Sequence, residues 1–413
     1  MAITRLMARA STPDRLSALS DDVLLDHIFT KISYRDVVRS SILSQRWRFL
    51  WRKTPILKFC LEDFRKQKDD MRIQAIINKA FLHLDARLLY LNLRVALDDP
   101  KAADINNWIR LAAEKKVERM ELYISYRDPN TRIDASTIVE LGDSFLRCEN
   151  LTALVLKSIN LPMIPNNFGV FQFLETVYCV GILNLDDVMF EQFMAVCPHL
   201  RNLGIRACMG LRNLNIRSSN LMSLNLGALS PHLSLQMVCP RLIEISLTDC
   251  GPYPVLKLLQ GISRAESRSE SIKRITLLNY NTGNAINPGI PSIAVLNSFP
   301  GLEELIIHGQ CFQEMISYEI SVAELTLSNL KMVRAHIGLD KGEKAVTFLG
   351  FLLRHSPLTV TRVFLPERCP RIMRIQLQDL EMKFSKSRLS TATRRWSINS
   401  KEACQFCEKY VEY

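Results

Sequence analysis

Cys197-Pro198-His199-Leu200-x-x-Leu203-x-Ile205 returns along the chain as Cys239-Pro240-Arg241-Leu242-x-x-Ile245-x-Leu247, as Pro300-Gly301-Leu302-x-x-Leu305-x-Ile307 and as Cys369-Pro370-Arg371-Ile372-x-x-Ile375-x-Leu377. The frame separates helix from strand. On a helix its aliphatic positions 0, 3 and 5 point about 0°, 300° and 140° round the axis and share no face, whereas on a strand positions 3 and 5 fall on one side. Each copy therefore reads as a short strand. The proline ahead of it has no amide hydrogen and clashes with a preceding helical turn, so it stops the connecting helix before the strand starts. Copies without the proline begin at Leu151, Leu174, Leu211, Leu221, Ile272 and Leu330. One strand and one return segment per copy, stacked on one another, bury a continuous aliphatic core and align the strands in a parallel sheet.

Lead residues such as 151 and 174, 200 and 221, 221 and 242, 272 and 302, or 302 and 330 lie 21 to 30 residues apart. That period resembles the roughly 20 to 29 residues of leucine-rich repeats. The resemblance implies an irregular solenoid with a curved parallel sheet, whose outward residues face a groove suited to another protein. Gly204, Asn215, Asn225, Ser246, Thr276, Ile306 and Gln376 sit between the inward aliphatics and are the substrate-binding candidates. Tyr280 to Ser292, rich in Gly, Pro and Asn, reads as a long loop between repeats.

Upstream lies a different kind of segment, DRLSALSDDVLLDHIFTKISYRDVVRSSILSQRWRFLWRKTPILKF, residues 14 to 59. Ser20 can cap a helix whose first turn holds Asp21 and Asp22, and Leu24, Leu25 and Ile28 recur at helical spacing. Ser33 and Asp36 form a capping-box pattern opening a second helix through Val37, Val38, Ile42 and Leu43, and Ser44 offers a cap for a third with Trp47, Leu50 and Trp51. Three short helices cannot hide that much apolar surface among themselves. The surplus calls for a partner or for the rest of the chain.

Leu16-x-x-Leu19-x-Asp21-Asp22-Val23-Leu24, Tyr34-Arg35-Asp36-Val37-Val38-Arg39-x-Ser41 and Leu43-Ser44-x-Arg46-Trp47-Arg48-x-Leu50-Trp51 together resemble the F-box of plant F-box proteins. The family usually has a proline where this chain has Ser20. The resemblance implies a Skp-type adaptor held by Leu16, Leu19, Val23, Leu24, Ile28, Val37, Val38, Leu43, Trp47, Leu50 and Trp51, and through the adaptor a cullin ubiquitin ligase. Ile105-Asn106-Asn107-Trp108-Ile109, followed by Val117-Glu118-Arg119-Met120-x-Leu122, is similar to the segment that leads into the repeats of these proteins. Ser328 to Val333 with Phe348 to Pro357 is similar to their closing FBD region, although the usual leucine-glutamate pair is replaced by Leu358-Thr359-Val360.

Composition narrows the remaining choices. A chain of 413 residues with 47% hydrophobic content can bury a large core. No uncharged apolar run reaches the roughly 18 residues of a membrane span, and the first residues lack the apolar stretch of a signal peptide. Eleven cysteines, an odd number spread through a large chain, argue for reduced thiols in the nucleus or cytoplasm. Cys404-x-x-Cys407 lacks two further metal ligands at a credible spacing. The formal charge is +11, and residues 1 to 60 carry eleven Lys and Arg against five Asp, so over half of the excess sits with the segment expected to dock. A basic surface attracts an acidic partner and speeds its approach. A second basic stretch runs from Lys383 to Trp396. No P-loop, dinucleotide, G-x-S-x-G or H-E-x-x-H signature occurs, and Asp98-Asp99 and Asp186-Asp187 read as turns or helix starts. Cys60 and Cys148 have no base nearby in sequence to activate them.

The expectation is an α/β chain: a flexible tail over 1–13, a three-helix F-box over 14–59, a helical linker and first repeats over 60–144, leucine-rich repeats over 145–327, and FBD-like terminal repeats and cap over 328–413. Its expected role is a non-catalytic substrate receptor without cofactor or metal, binding a Skp-type adaptor and a protein substrate. Two alternatives stay open, a repeat scaffold without ligase coupling and a nucleic-acid-associated protein using its basic ends.

Overall fold

The computed structural model describes residues 15–16, 18–60, 70–98, 104–128, 130–131, 138–165, 168–208, 210–230, 232–248, 258–262, 269–279, 293–309, 327–336, 342–365, 371–386 and 395–399. The chain forms two compact units, Met1–Leu151 and Thr152–Tyr413. The tail over 1–13, the loop Tyr280 to Ser292 and the Cys404, Cys407 pair lie outside the described residues.

In the first unit, Ser20 caps helix α1 (Asp21–Val23) by accepting the Val23 amide at 3.4 Å. The chain continues through a π-helical turn, Leu24–Ile28, and a 3₁₀ turn, Phe29–Lys31. Helix α2 (Tyr34–Arg39) starts at Ser33, whose Oγ accepts the Asp36 amide at 3.3 Å and donates to the Asp36 carboxylate at 3.2 Å. The third segment is a run of turns closed by a 3₁₀ segment, Leu50–Lys53, with Ser44 accepting the Trp47 amide at 3.3 Å. Phe49 lies two residues from both Trp47 and Trp51, about 200° round a helix, a spacing that puts it on the side opposite the two tryptophans.

Strand β1 (Ile56–Phe59) then pairs in parallel with β2 (Tyr90–Leu97), and β2 with β3 (Arg119–Tyr126). Helices α3 (Asp70–His83) and α4 (Ile105–Glu114) connect them. Trp108 on α4 is fully buried and donates its indole N–H to Asn78 Oδ1 on α3 at 2.6 Å. The strand-and-return pattern is thus present well before residue 145.

In the second unit, among the described residues, a parallel sheet runs β4 (Ala153–Lys157), β5 (Thr176–Val180), β6 (Asn202–Arg206), β8 (Ser223–Gly227), β10 (Glu244–Thr248), β11 (Arg274–Asn279), β12 (Glu304–Gly309), β13 (Met332–His336), β14 (Val360–Phe364) and β15 (Arg395–Asn399). Inward positions form two aliphatic rows. Leu154, Val177, Leu203, Leu224, Ile245, Ile275, Leu305 and Val333 make one, and Leu156, Cys179, Ile205, Leu226, Leu247, Leu277, Ile307 and Ala335 the other; all are buried. The period of two read from the L-x-x-L-x-L frame accounts for both. Return segments differ from repeat to repeat. Helix α5 (Asp187–Ala195) connects β5 to β6, but β7 (Asn213–Arg217) and β9 (Ser234–Val238) serve in the next two repeats and pair with each other in a separate parallel sheet. Helix α6 (Gly342–His355) buries Phe348, Leu349 and Leu352.

Two expectations are corrected. The copy starting at Cys369 is not a strand: Arg371–Lys386 is helix α7, so Gln376 lies on a helix and not in the sheet. Its apolar residues at 373, 377, 380 and 384 have helical spacing, and the Arg, Gln, Glu and Lys between them are good helix formers. Asn215 is on a strand, but on β7 of the separate sheet, where its Nδ2 donates to Glu191 Oε1 of α5 at 3.5 Å.

Candidate functional site

The segment before β1 encloses a core of Leu24, Phe29, Val37, Trp47 and Leu50, with Leu19, Leu25, Ile28, Ile32 and Trp51 packed partly against it. Phe29 and Trp47 meet edge to face at 5.8 Å between ring centres. Trp51 meets Tyr34 at 6.2 Å and His83 at 6.0 Å, and its indole donates to the Arg48 carbonyl at 3.1 Å, fastening the segment to α3. Arg46 closes the structure by donating to Asp21 Oδ1 through Nε at 2.8 Å and to the Leu19 carbonyl at 2.6 Å. Removing a buried tryptophan such as Trp47 costs about 3–5 kcal/mol, enough to unravel so small a core.

The core leaves large apolar side chains outside. Ile42 is 86% exposed, Leu43 63%, Phe49 58%, Leu16 48% and Val23 36%. Of the residues read as adaptor contacts, Leu16, Val23 and Leu43 are on this surface, Leu19, Ile28, Val38 and Trp51 are half-buried, and Leu24, Val37, Trp47 and Leu50 are interior. Ile42 and Phe49 were absent from that set. Helical spacing put Ile42 on the second helix with Val37, Val38 and Leu43, and only a folded core shows that it is left over. Arg35, Arg39, Arg48 and Lys53 of the same segment are exposed, as are Asp22, Asp26 and Asp36; Arg39 lies 3.6 Å from Asp36, and Arg48 lies 5.5 Å from the Phe49 ring centre.

The sheet of the second unit carries the other candidates. Gly204, Asn225, Ser246, Thr276 and Ile306 share the middle row of its outward face. Gly204, Ser246, Thr276 and Ile306 are buried, and Asn225 is half-buried. A Cβ on Gly204 would come within 2.1 Å of the Tyr178 ring, so that ring fills the space beside it. The Ser246 and Thr276 hydroxyls have no hydrogen-bond partner among the described residues. On the same face, Arg274 bridges Glu244 at 3.2 Å and Glu304 at 2.7 Å, and Arg334 meets Glu304 at 3.0 Å.

A groove of about 600 Å³ lies along the strand starts, lined by Thr152, Gln172, Phe173, Glu175, His199, Arg201, Asn220, Met222 and Arg241. Thr152, Glu175, Arg201 and Met222 are the residues just before β4, β5, β6 and β8, and each carbonyl accepts two amides from the start of the next sheet strand. Asn220 donates to the Pro198 carbonyl at 3.0 Å. Sequence reasoning found none of these groove residues as a site, although His199 and Arg241 both follow the proline of a repeat.

Burial pushes the Cys148 and Cys197 thiols up to about 12 and Cys208 and Cys239 to about 11, which keeps them protonated at neutral pH. Among the described residues no group of three or more His, Cys, Asp and Glu is placed to hold a metal ion, and no helix is long and apolar enough to cross a membrane.

Comparison with known proteins bears on both units. The family model of the F-box domain matches residues 16–59, and that of "FBD-associated F-box protein At5g56370, LRR repeats" matches residues 105–252. F-box/FBD/LRR-repeat protein At5g56420 of Arabidopsis thaliana is 28% identical over 54% of this chain and 50% of its own length. FBD-associated F-box protein At5g56370 is 30% identical over 45% and 42%, and FBD-associated F-box protein At5g38590, 25% identical over 76% and 66%; both are from the same plant. The matches span about half the length of the first two relatives and just under two thirds of the third.

Proposed function

We propose that this chain, which belongs to the plant F-box proteins with leucine-rich repeats, is the substrate receptor of a Skp-cullin-F-box ubiquitin ligase. The F-box holds a Skp-type adaptor and the repeats hold a protein substrate. The chain contributes placement, bringing a substrate lysine near a charged ubiquitin carrier, and itself makes or breaks no bond. Its expected place of work is the nucleus or cytoplasm.

The observation that carries this reading is the apolar surplus of the F-box. With its core already filled, Leu16, Val23, Ile42, Leu43 and Phe49 still stand in water. Exposed apolar surface of that kind marks a protein interaction site, and the surrounding arginines and lysine favour an acidic partner.

The test is capture of Skp-type adaptor by the intact chain beside Ile42→Asp with Leu43→Asp, which alter exposed side chains and leave the core alone. Binding by the intact chain and its loss in the folded double variant is the expected outcome. Trp47→Ala should lose binding together with the fold of the F-box, read as altered circular dichroism and tryptophan emission. A folded intact chain that captures no adaptor would leave a repeat scaffold without ligase coupling.

A further inference from the structure

We propose that the groove at the strand starts of the second unit is a docking site for an acidic peptide segment carrying an apolar side chain. The inference rests on the reading of the repeats as the substrate-holding part of the chain. The middle row of the outward face, where the substrate candidates were expected, offers little side-chain surface, since Gly204, Ser246, Thr276 and Ile306 are buried. The groove offers much more: Gln172, Phe173, His199, Arg201, Met222 and Arg241 are all exposed.

Charge selects the ligand class. His199, Arg201 and Arg241 face the groove against a single carboxylate, Glu175, which lies 3.6 Å from Arg201. Arg241 donates only to the neutral amide of Asn220 at 3.5 Å and has no carboxylate partner among the described residues. Farther along the same line of strand starts, each cation touches a carboxylate: Lys273 and Lys331 share Glu303, each at 3.2 Å. Arg241 is therefore left on this rim without a carboxylate in contact among the described residues, and a carboxylate supplies the bidentate partner a guanidinium prefers. Phe173, 54% exposed, and Met222, 38% exposed, supply an apolar contact beside the arginines.

The backbone excludes one mode of binding. Because the carbonyls of Thr152, Glu175, Arg201 and Met222 already accept two amides each, a peptide cannot dock by extending the ladder along this line. Recognition falls to side chains: the residue after the proline is His199 in one copy and Arg241 in another, and Asn220 precedes the lead leucine of the copy between them.

The experiment selects a displayed library of random peptides on the intact chain. The most enriched sequence is then synthesised with a fluorescent label and measured by anisotropy against the intact chain, Arg241→Glu and Arg241→Lys. Enrichment of Asp and Glu around an apolar residue is expected, with affinity about tenfold weaker for Arg241→Glu, reduced less for Arg241→Lys, which keeps the charge and loses the bidentate contact, and falling with added salt. Absence of acidic enrichment, unchanged affinity in Arg241→Glu, or tighter binding of a labelled single-stranded oligonucleotide at the same residues would overturn the proposal. Adaptor capture by each variant separates the two ideas. Acidic-peptide binding that depends on Arg241 in a chain without adaptor binding keeps the groove and removes the ligase; normal adaptor capture with no acidic-peptide binding does the reverse.

Discussion

Ser20 stands where relatives of the F-box usually have proline, and its backbone, at φ −68° and ψ 159°, is one that proline itself adopts. Its side chain supplies something proline lacks, the acceptor for the Val23 amide. Ser20→Ala should therefore destabilise the first unit by about 1 kcal/mol. Ser20→Pro should fall close to it, since the backbone is kept and the same acceptor is lost. Urea titration followed by tryptophan emission checks this, because Trp47, Trp51 and Trp108 all lie in that unit. A loss of several kcal/mol for Ser20→Pro would mean that the residue's backbone or neighbours do not tolerate the ring. The caps at Ser20, Ser33 and Ser44 were legible because short polar side chains ahead of apolar runs have one good use. Which apolar side chains face out was not, because Leu24, Leu25 and Ile28, like Val37, Val38, Ile42 and Leu43, leave no polar face to mark the outside.

At the scale of the element, four successive sheet strands end in the same way. Ser158, Gly181, Ala207 and Ala228 follow β4, β5, β6 and β8 with φ of 56°, 65°, 53° and 46°. Each donates its amide to the last residue of the next sheet strand, Val180, Arg206, Gly227 and Thr248, at 2.8 to 3.0 Å. The left-handed turn aims that amide and starts the return segment, and glycine alone occupies it without strain. Ala207→Gly and Ala228→Gly should each stabilise the second unit by about 0.5–1 kcal/mol, the relief of a left-handed alanine less the greater chain entropy of glycine. Thermal melting monitored by far-ultraviolet circular dichroism reads the gain; a lower midpoint would show that the alanine methyls contribute packing that outweighs the strain. With one glycine in four positions, no residue pattern announced this turn. The strands themselves were legible because inward positions at a period of two tolerate only aliphatics. The return segments were not, since helix α5 and strands β7 and β9 all serve the same connection, and the fourth copy of the frame is a helix in which Leu377 alone belongs to both the frame and the helical series, while Ile375 is left exposed.

Across the second unit as a whole, neighbouring strands in register turn single residues into rows, and rows of charge act together. Lys273, Glu303 and Lys331 form such a row, and hydrogen bonds from Lys273 and Lys331, with their charges, hold the Glu303 carboxyl below its ordinary 4.5. A carboxyl whose value is lowered on folding binds protons less readily in the folded chain than in the unfolded one, so it stabilises the fold above the ordinary carboxylate value. That contribution disappears as pH falls through the lowered value of the folded state. Glu303→Gln should therefore melt below the parent chain at neutral pH, with the gap closing as the pH is taken below the ordinary carboxylate value. The row is exposed, so added salt should narrow the gap at neutral pH as well. A gap that persists unchanged in acid would assign the role of Glu303 to packing and not to charge. The same logic bears on the groove, because Arg241 is a cation without a carboxylate in its row: Arg241→Glu should leave the melting midpoint of the chain almost unmoved while peptide affinity falls, and that separation of stability from binding is what a recognition residue predicts.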